Sequence, residues 1–212
     1  MAKHLTMNTV IHAAVRRDLR RFTAALDTFP VGSKERATEL SRAWQHLDGQ
    51  LYHHHHGEET IFWPALREVG ADESLVTDLG GEHDRMAQAM KDTSAAMAEL
   101  VADPGAEQVE RARQAFVALG QAVETHFAHE ETDLEAFSAS VSDTAPMKRA
   151  QDQVRKTQSP TQVGGYLAWL QDEADADALA YLGSAIPRPV LVIASRLLGR
   201  RYRREIAPIW AT

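Results

Sequence analysis

Apolar residues recur at three- and four-residue intervals through the first 140 positions, and few stretches alternate as a strand would. That period predicts four long amphipathic helices. The first is expected over about Leu5 to Phe29, carrying Leu5, Val15, Leu19, Phe22, Leu26 and Phe29, with Pro30 and Gly32 to end it. The second starts after an N-cap at Ser33 and runs to Val69, with Leu40, Trp44, Leu47, Leu51, Ile61, Phe62 and Ala65 on one side and Gly70 closing it. The third covers about Asp72 to Ala102 through Leu75, Leu79, Met86, Met90, Met97 and Leu100, and Gly80 with Gly81 mark a place for a kink or break. After the turn Asp103-Pro104-Gly105, the fourth spans about Ala106 to Phe137 on Val109, Ala112, Phe116, Leu119, Val123, Leu134 and Phe137. Such helices joined by short turns predict an all-α fold, an up-down-up-down four-helix bundle over residues 1–140.

The period weakens afterwards. Residues 141–165 are polar, with Pro146 and Pro160, and read as a linker with a short helix. Residues 166–212 form a C-terminal helical extension, with helices expected at Tyr166 to Leu170, Ala174 to Leu182 and Val190 to Tyr202. Val190, Leu191, Ile193, Leu197, Leu198, Ile206, Ile209 and Trp210 are too apolar to hang free and are expected to pack on the bundle or on a second subunit.

Each of the four stripes is broken by residues that bind metals. His12 fills the gap between Leu5 and Val15, and His54 and Glu58 lie between Leu51 and Ile61. His83 follows Leu79, and His126 and Glu130 separate Val123 from Leu134. Heights along the helices agree: His12 and His54 stand roughly 26 and 30 Å from the first turn, and His83 and His126 roughly 30 Å from the third. Two carboxylates buried with no Lys or Arg beside them are expensive unless cations neutralise them. A His and a Glu four apart share a helix face and can reach one ion. An O/N donor set without thiolate suits iron or manganese. The chain has no cysteine at all, which excludes disulfides, thiolate sites and thiol catalysis.

The run His53-His54-His55-His56 offers two frames, His54 with Glu58 and His55 with Glu59; the apolar phase of Leu47, Leu51 and Ile61 selects the first. An internal echo supports it, since residues 54–60 and 126–132 both read H-x3-E-E-T, as if each half of the bundle supplied one unit. His53, His55, His56, His129, Glu59 and Glu131 then flank the site, and His4 and His46 read as surface residues.

The pattern H, H-x3-E, H, H-x3-E on four successive helices, with HHHHGEETIFWPAL and HFAHEETDL as its second and fourth segments, resembles the hemerythrin-like HHE cation-binding domain over about residues 5–140. The resemblance implies a four-helix bundle with two non-heme iron ions, oxo- or hydroxo-bridged, and carboxylate bridges. It assigns His12, His54, His83 and His126 as terminal ligands and Glu58 and Glu130 as bridges. Two departures from oxygen-carrying hemerythrins stand out. Ala87 occupies the place of a second histidine one turn after His83, and Glu130 follows His126 by four residues where those proteins have five. The implied centre has fewer imidazoles and an open position for water, a tyrosinate or an exogenous ligand.

Charge refines the choice of partner. Residues 1–140 carry 13 basic and 23 acidic side chains, which argues against nucleic acid as a partner of the main body, whereas residues 141–212 carry 10 and 7, with a DNA-binding helix-turn-helix as a weak alternative there. The basic excess is concentrated at Arg196, Arg200, Arg201, Arg203 and Arg204, a solvated helix end, a subunit contact or a weak anionic-surface site. The N-terminal segment lacks the apolar core of an export signal, and the longest apolar run, Val190 to Ala194, is too short to span a bilayer, so the expectation is a cytoplasmic protein, monomeric or homodimeric, with no membrane partner. Three functions remain open: a redox enzyme that disproportionates hydrogen peroxide or handles nitric oxide, an oxygen-binding or sensing protein without turnover, and iron storage or delivery.

Overall fold

The computed structural model describes residues 5–211, and the described residues form helices and connecting turns with no strand. Helix α1 is Met7–Asp27, opened by a capping box in which Thr6 and Thr9 each bond the other's backbone amide. Helix α2 follows the Ser33 cap as Lys34–Gly57, passes through a π-helical turn at Glu58–Phe62 and continues as Trp63–Glu68. Gly70, at φ 94°, then turns the chain in a conformation that a side chain would resist. Helix α3 is Glu73–Ala102 behind the Asp72 cap. Helix α4 runs as Ala106–His129, a second π-helical turn at Glu130–Leu134, and Glu135–Val141. Gly80 and Gly81 neither kink nor break α3, which stays continuous. A Cβ on Gly80 would meet Trp63 only at an ordinary 4.0 Å, so the position does not require glycine for packing.

Two apolar clusters hold the four helices together. The larger contains Phe22, Leu47, Met86, Met97, Phe116 and Leu119, with the Phe22 and Phe116 rings stacked at 4.3 Å. The smaller gathers Trp63, Leu66, Val76, Leu79 and Leu134 near the α2–α3 turn. The polar residues that interrupt the stripes fall between the two, after Leu51 and before Trp63 on α2, and after Val123 and before Leu134 on α4.

The C-terminal third is more ordered than its sequence pattern suggests. Helix α5, Ala145–Thr157, falls in the 141–165 stretch where a linker with a short helix is expected, and it packs Met147 and Ala150 into the smaller cluster. Helix α6, Pro160–Gln171, is capped by Ser159 and lies against both α1 and α2. Helix α7 is Ala176–Ala185; helix α8 runs as Arg188–Ile193, a π-helical turn at Ala194–Leu198, and Arg200–Glu205, with a 3-10 turn at Ala207–Trp210 behind it. The Trp169 side chain is completely buried, and its indole donates to Asp18 Oδ2 at 2.7 Å. Asp18 Oδ1 also accepts from Arg17 Nε at 2.8 Å and Arg21 Nη1 at 3.0 Å. Arg17 bonds the Trp169 carbonyl at 3.0 Å and the Asp172 carbonyl, while Arg21 and the Tyr202 hydroxyl bond Asp172 Oδ2 at 2.9 and 2.8 Å.

This docking changes two expectations. His46 is not a surface residue: it is half-buried beneath Trp169 and Tyr202, and burial pushes its imidazole down to about 4 and leaves Nε2 without a partner. Of the apolar residues expected to pack, Leu191, Ile206 and Ile209 are buried, whereas Val190, Ile193 and Leu197 are exposed on the outer side of α8, and Leu198 sets its Cβ against Gly164 of α6 with the rest of its side chain partly exposed. His4 lies outside the described residues. No helix among those described is long and apolar enough to cross a membrane.

Candidate metal centre

The two H-x3-E-E-T segments fold alike. In each, the first glutamate opens a π-helical turn: the Trp63 amide donates to the Glu58 carbonyl, and the Glu135 amide to the Glu130 carbonyl, five residues back. Each segment's threonine then bonds the carbonyl four residues earlier, Thr60 to His56 and Thr132 to Ala128, a contact that bends helices. The wide turns bring Glu58 and Glu130 inward, each under one-tenth exposed.

Seven side chains converge at this level. One group comprises His12, His54, Glu58 and Glu130, and a second His55, Glu58, His83 and His126; within each, the donor atoms lie within 4.8 Å of one another. Glu58 belongs to both. Its Oε1 is 3.4 Å from His54 Nε2 and its Oε2 is 3.5 Å from His83 Nε2. Glu130 also stands between the groups, with Oε2 at 3.4 Å from His12 Nε2 and 3.7 Å from His126 Nε2.

Proton accounting shows what these atoms lack. His83 Nδ1 is 2.8 Å from Glu59 Oε1, and His126 Nδ1 is 3.1 Å from Glu82 Oε2. An ionised carboxylate can only accept, so each Nδ1 carries the proton and each Nε2 presents a lone pair. Those two Nε2 atoms face each other at 3.0 Å. His12 differs in part: Nδ1 is 3.0 Å from Glu131 Oε1, while Nε2 lies 3.2 Å from His54 Nε2 and 3.4 Å from Glu130 Oε2, to which it donates when both ring nitrogens are protonated. Glu58 Oε2 and His55 Nε2 are buried with no donor at all. Converging lone pairs and orphaned acceptors are what cations satisfy, and the residues fit a metal site.

The electrostatics agree. Burial, then the charges of Glu130, Glu135 and Glu59, push the Glu58 carboxyl well above its usual range. Burial would raise Glu130 too, but the hydrogen bond from His12 and the charges of His126, His12 and His54 hold it down at about 2. Burial lowers His54 to about 3 and drives His55 well down, and it lowers His126. For His12 burial opposes protonation, yet Glu130 and Glu131 outweigh it and the net shift is upward. Two aromatic rings wall the layer: Phe127 stacks on His12 at 3.6 Å and Trp63 on His83 at 4.6 Å.

The structure thus brings together His12, His54, Glu58, His83, His126 and Glu130. It also moves His55 from a flanking position into the second group, which raises the imidazole count to five. Ala87, the place of the missing histidine, is exposed and faces away. Glu59 and Glu131 hold ring nitrogens, while His53 and His56 are exposed. The sequence pattern missed Glu82, which holds both His126 and His129, and Asn8, whose amide lies 3.3 Å from both Glu130 and the buried Glu135. Glu82 directly precedes His83, a neighbour that carried a usable signal. The Tyr166 hydroxyl of α6 is pushed up by burial and by the Glu58 charge.

A family model described as "Hemerythrin HHE cation binding domain" matches residues 9–134. No curated protein and no solved structure matches the chain.

Proposed function

The chain belongs to the hemerythrin HHE cation-binding family, and from that premise we propose that it holds two iron ions and uses them to disproportionate hydrogen peroxide to oxygen and water. The observation that carries this reading is Glu58, a buried carboxylate whose two oxygens face different imidazoles and belong to both donor groups. One ion would take His12, His54, Glu58 and Glu130, the other His55, Glu58, His83 and His126, in an up-down-up-down bundle of α1–α4. Bound iron supplies exchange of electrons with a small oxidant. The chain's own residues do the rest. Glu131, Glu59 and Glu82 fix the tautomers of His12, His83 and His126, which keeps the Nε2 lone pairs inward. Phe127 and Trp63 exclude bulk water from the layer. Asn8 donates to Glu130 and limits its rotation.

Two peroxide molecules give one oxygen and two waters, so oxygen release at half the rate of peroxide loss is the expected signature. The test is metal analysis with an oxygen electrode on iron-loaded protein. One zinc per chain in protein made with ample iron, or peroxide loss without oxygen release, overturns the reading. A second reading, reversible binding of oxygen or nitric oxide without turnover, draws on the fifth imidazole, His55, which makes the centre richer in nitrogen than the sequence pattern implied. A stable, reversible spectrum with either gas, and no peroxide turnover, selects it.

A further inference from the structure

Six of the nine large hydrophobic side chains exposed among the described residues lie in one twenty-residue stretch: Leu179, Val190, Val192, Ile193, Leu197 and Leu198. Their exposure is built in. The inner side of α8 is fixed by buried Leu191, Ala194, Ser195 and Tyr202. It also meets α6 backbone to backbone at two glycines. A Cβ on Gly164 would stand 2.3 Å from Leu198 Cβ and 2.7 Å from the Ala194 carbonyl oxygen, and one on Gly199 would stand 2.6 Å from the Gly164 carbonyl oxygen. Helix α8 therefore cannot rotate its outer side inward without separating from α6.

The outer side changes character along its length. At three- and four-residue spacing it presents Val190, Ile193 and Leu197, and then Arg200 or Arg201 and Arg204. Residues 178–204 contain six arginines and no acidic residue. Arg201 pairs with Glu205 at 3.0 Å; among the described residues the other five make no ion pair. The remainder of the protein is acidic.

A second copy is a poor occupant of this surface. An antiparallel two-fold contact would lay the unpaired arginines of each copy on the apolar half of the other, and a contact with the acidic body of the next copy would leave the apolar half without a matching surface. A bilayer of anionic lipids satisfies both halves, taking the aliphatic side chains between headgroups and the guanidinium groups on phosphates. No single described helix is long and apolar enough to cross a bilayer, and the inner sides of α7 and α8 are held in the fold by buried Ala178, Leu182, Leu191 and Ala194, which leaves only their outer sides to lie along such a surface. We propose that the outer face of α7 and α8 docks this protein on an anionic membrane surface, with Ile193 and Leu197 inserted and Arg196, Arg200 and Arg204 on lipid phosphates. This departs from the expectation of no membrane partner, and it stands independently of the metal centre.

The full metal-loaded chain is tested by flotation with vesicles of phosphatidylglycerol and phosphatidylcholine, against vesicles of phosphatidylcholine alone. Flotation with the anionic vesicles, weakened by salt, is expected. The triple variant Arg196→Ser, Arg200→Ser, Arg204→Ser should partition on the order of 100-fold more weakly. Failure to float, equal flotation with both compositions, or flotation unchanged in the triple variant overturns the proposal. Because the chain has no cysteine, Val192→Cys carries a single nitroxide label, which should lose mobility and gain protection from aqueous relaxants on anionic vesicles only. A label that stays fully water-accessible there also overturns it. So does sedimentation of the unmodified protein as a dimer that Ile193→Asp converts to monomer, an outcome that assigns the face to a second copy.

Discussion

Two buried polar regions of this molecule have opposite electrostatic designs. At the α1–α6 contact, Asp18 is almost fully buried and is surrounded by donors from the chain itself: two arginines and the Trp169 indole. In the histidine and glutamate layer about two helical turns away along α1, Glu58 is equally buried, yet no side chain donates to its Oε2, and imidazole lone pairs point at one another. A buried carboxylate with its own counter-ions is a fastening. One with converging acceptors is a receptor for positive charge from outside. Burial alone does not distinguish them; the inventory of protons does.

The largest effect should come from supplying that charge. Two ions, each at about a thousandfold over its dissociation constant, stabilise the fold by roughly 8 kcal/mol in total. Loaded protein should therefore melt well above the metal-free form, which stays helical because apolar clusters lie on both sides of the layer. Circular dichroism melts of both forms measure this, and Glu58→Ala should lose at least one ion and much of the difference. Identical melting would remove the contrast between the two regions.

Next comes the fastening. Asp18→Ala leaves Arg17 and Arg21 with excess buried positive charge and should cost about 3–5 kcal/mol, with metal content unchanged, read by urea titration and metal analysis. The third effect is on the pH dependence. His46 titrates at about 4 in the folded protein against its ordinary 6.5, so the unfolded chain binds the proton first. Its stabilising contribution is full above pH 6.5 and is lost as pH falls from 6.5 through about 4, on the order of 3 kcal/mol. His46→Phe should flatten that part of the stability profile. The smallest effect tests the ring-holding carboxylates. Glu59→Ala should weaken metal binding about 10- to 100-fold through His83, without abolishing it, as a competitive chelator titration would show.

The four-helix core and six of the seven converging side chains were legible from the phase of the apolar stripes. His55 was not, for a geometric reason. A helix packed against two others faces them in different directions, and consecutive residues differ by about 100°. His54 accordingly addresses His12 on α1, and His55 addresses His83 on α3. Choosing one frame assumed a single inward face. His46 was misread because the covering surface comes from residues 160–205, whose short helices and prolines carry too little periodicity to reveal where they dock. The outer apolar residues of α8 were misread in the opposite sense, since composition signals a need for cover and says nothing about which side of a helix is already taken.

The paired wide turns also govern how this chain can change length over descent. Each is a one-residue insertion parked inside a helix, so the helix beyond it already keeps the register of an α-helix one residue shorter. Losing a residue between His54 and Trp63 would therefore leave Trp63 and Leu66 where they are and rotate only the carboxylates between. Related sequences should tolerate length variation freely in the loops after α1 and α3, and a gap within either H-x3-E-E-T segment should mark a lineage whose inner carboxylate has moved.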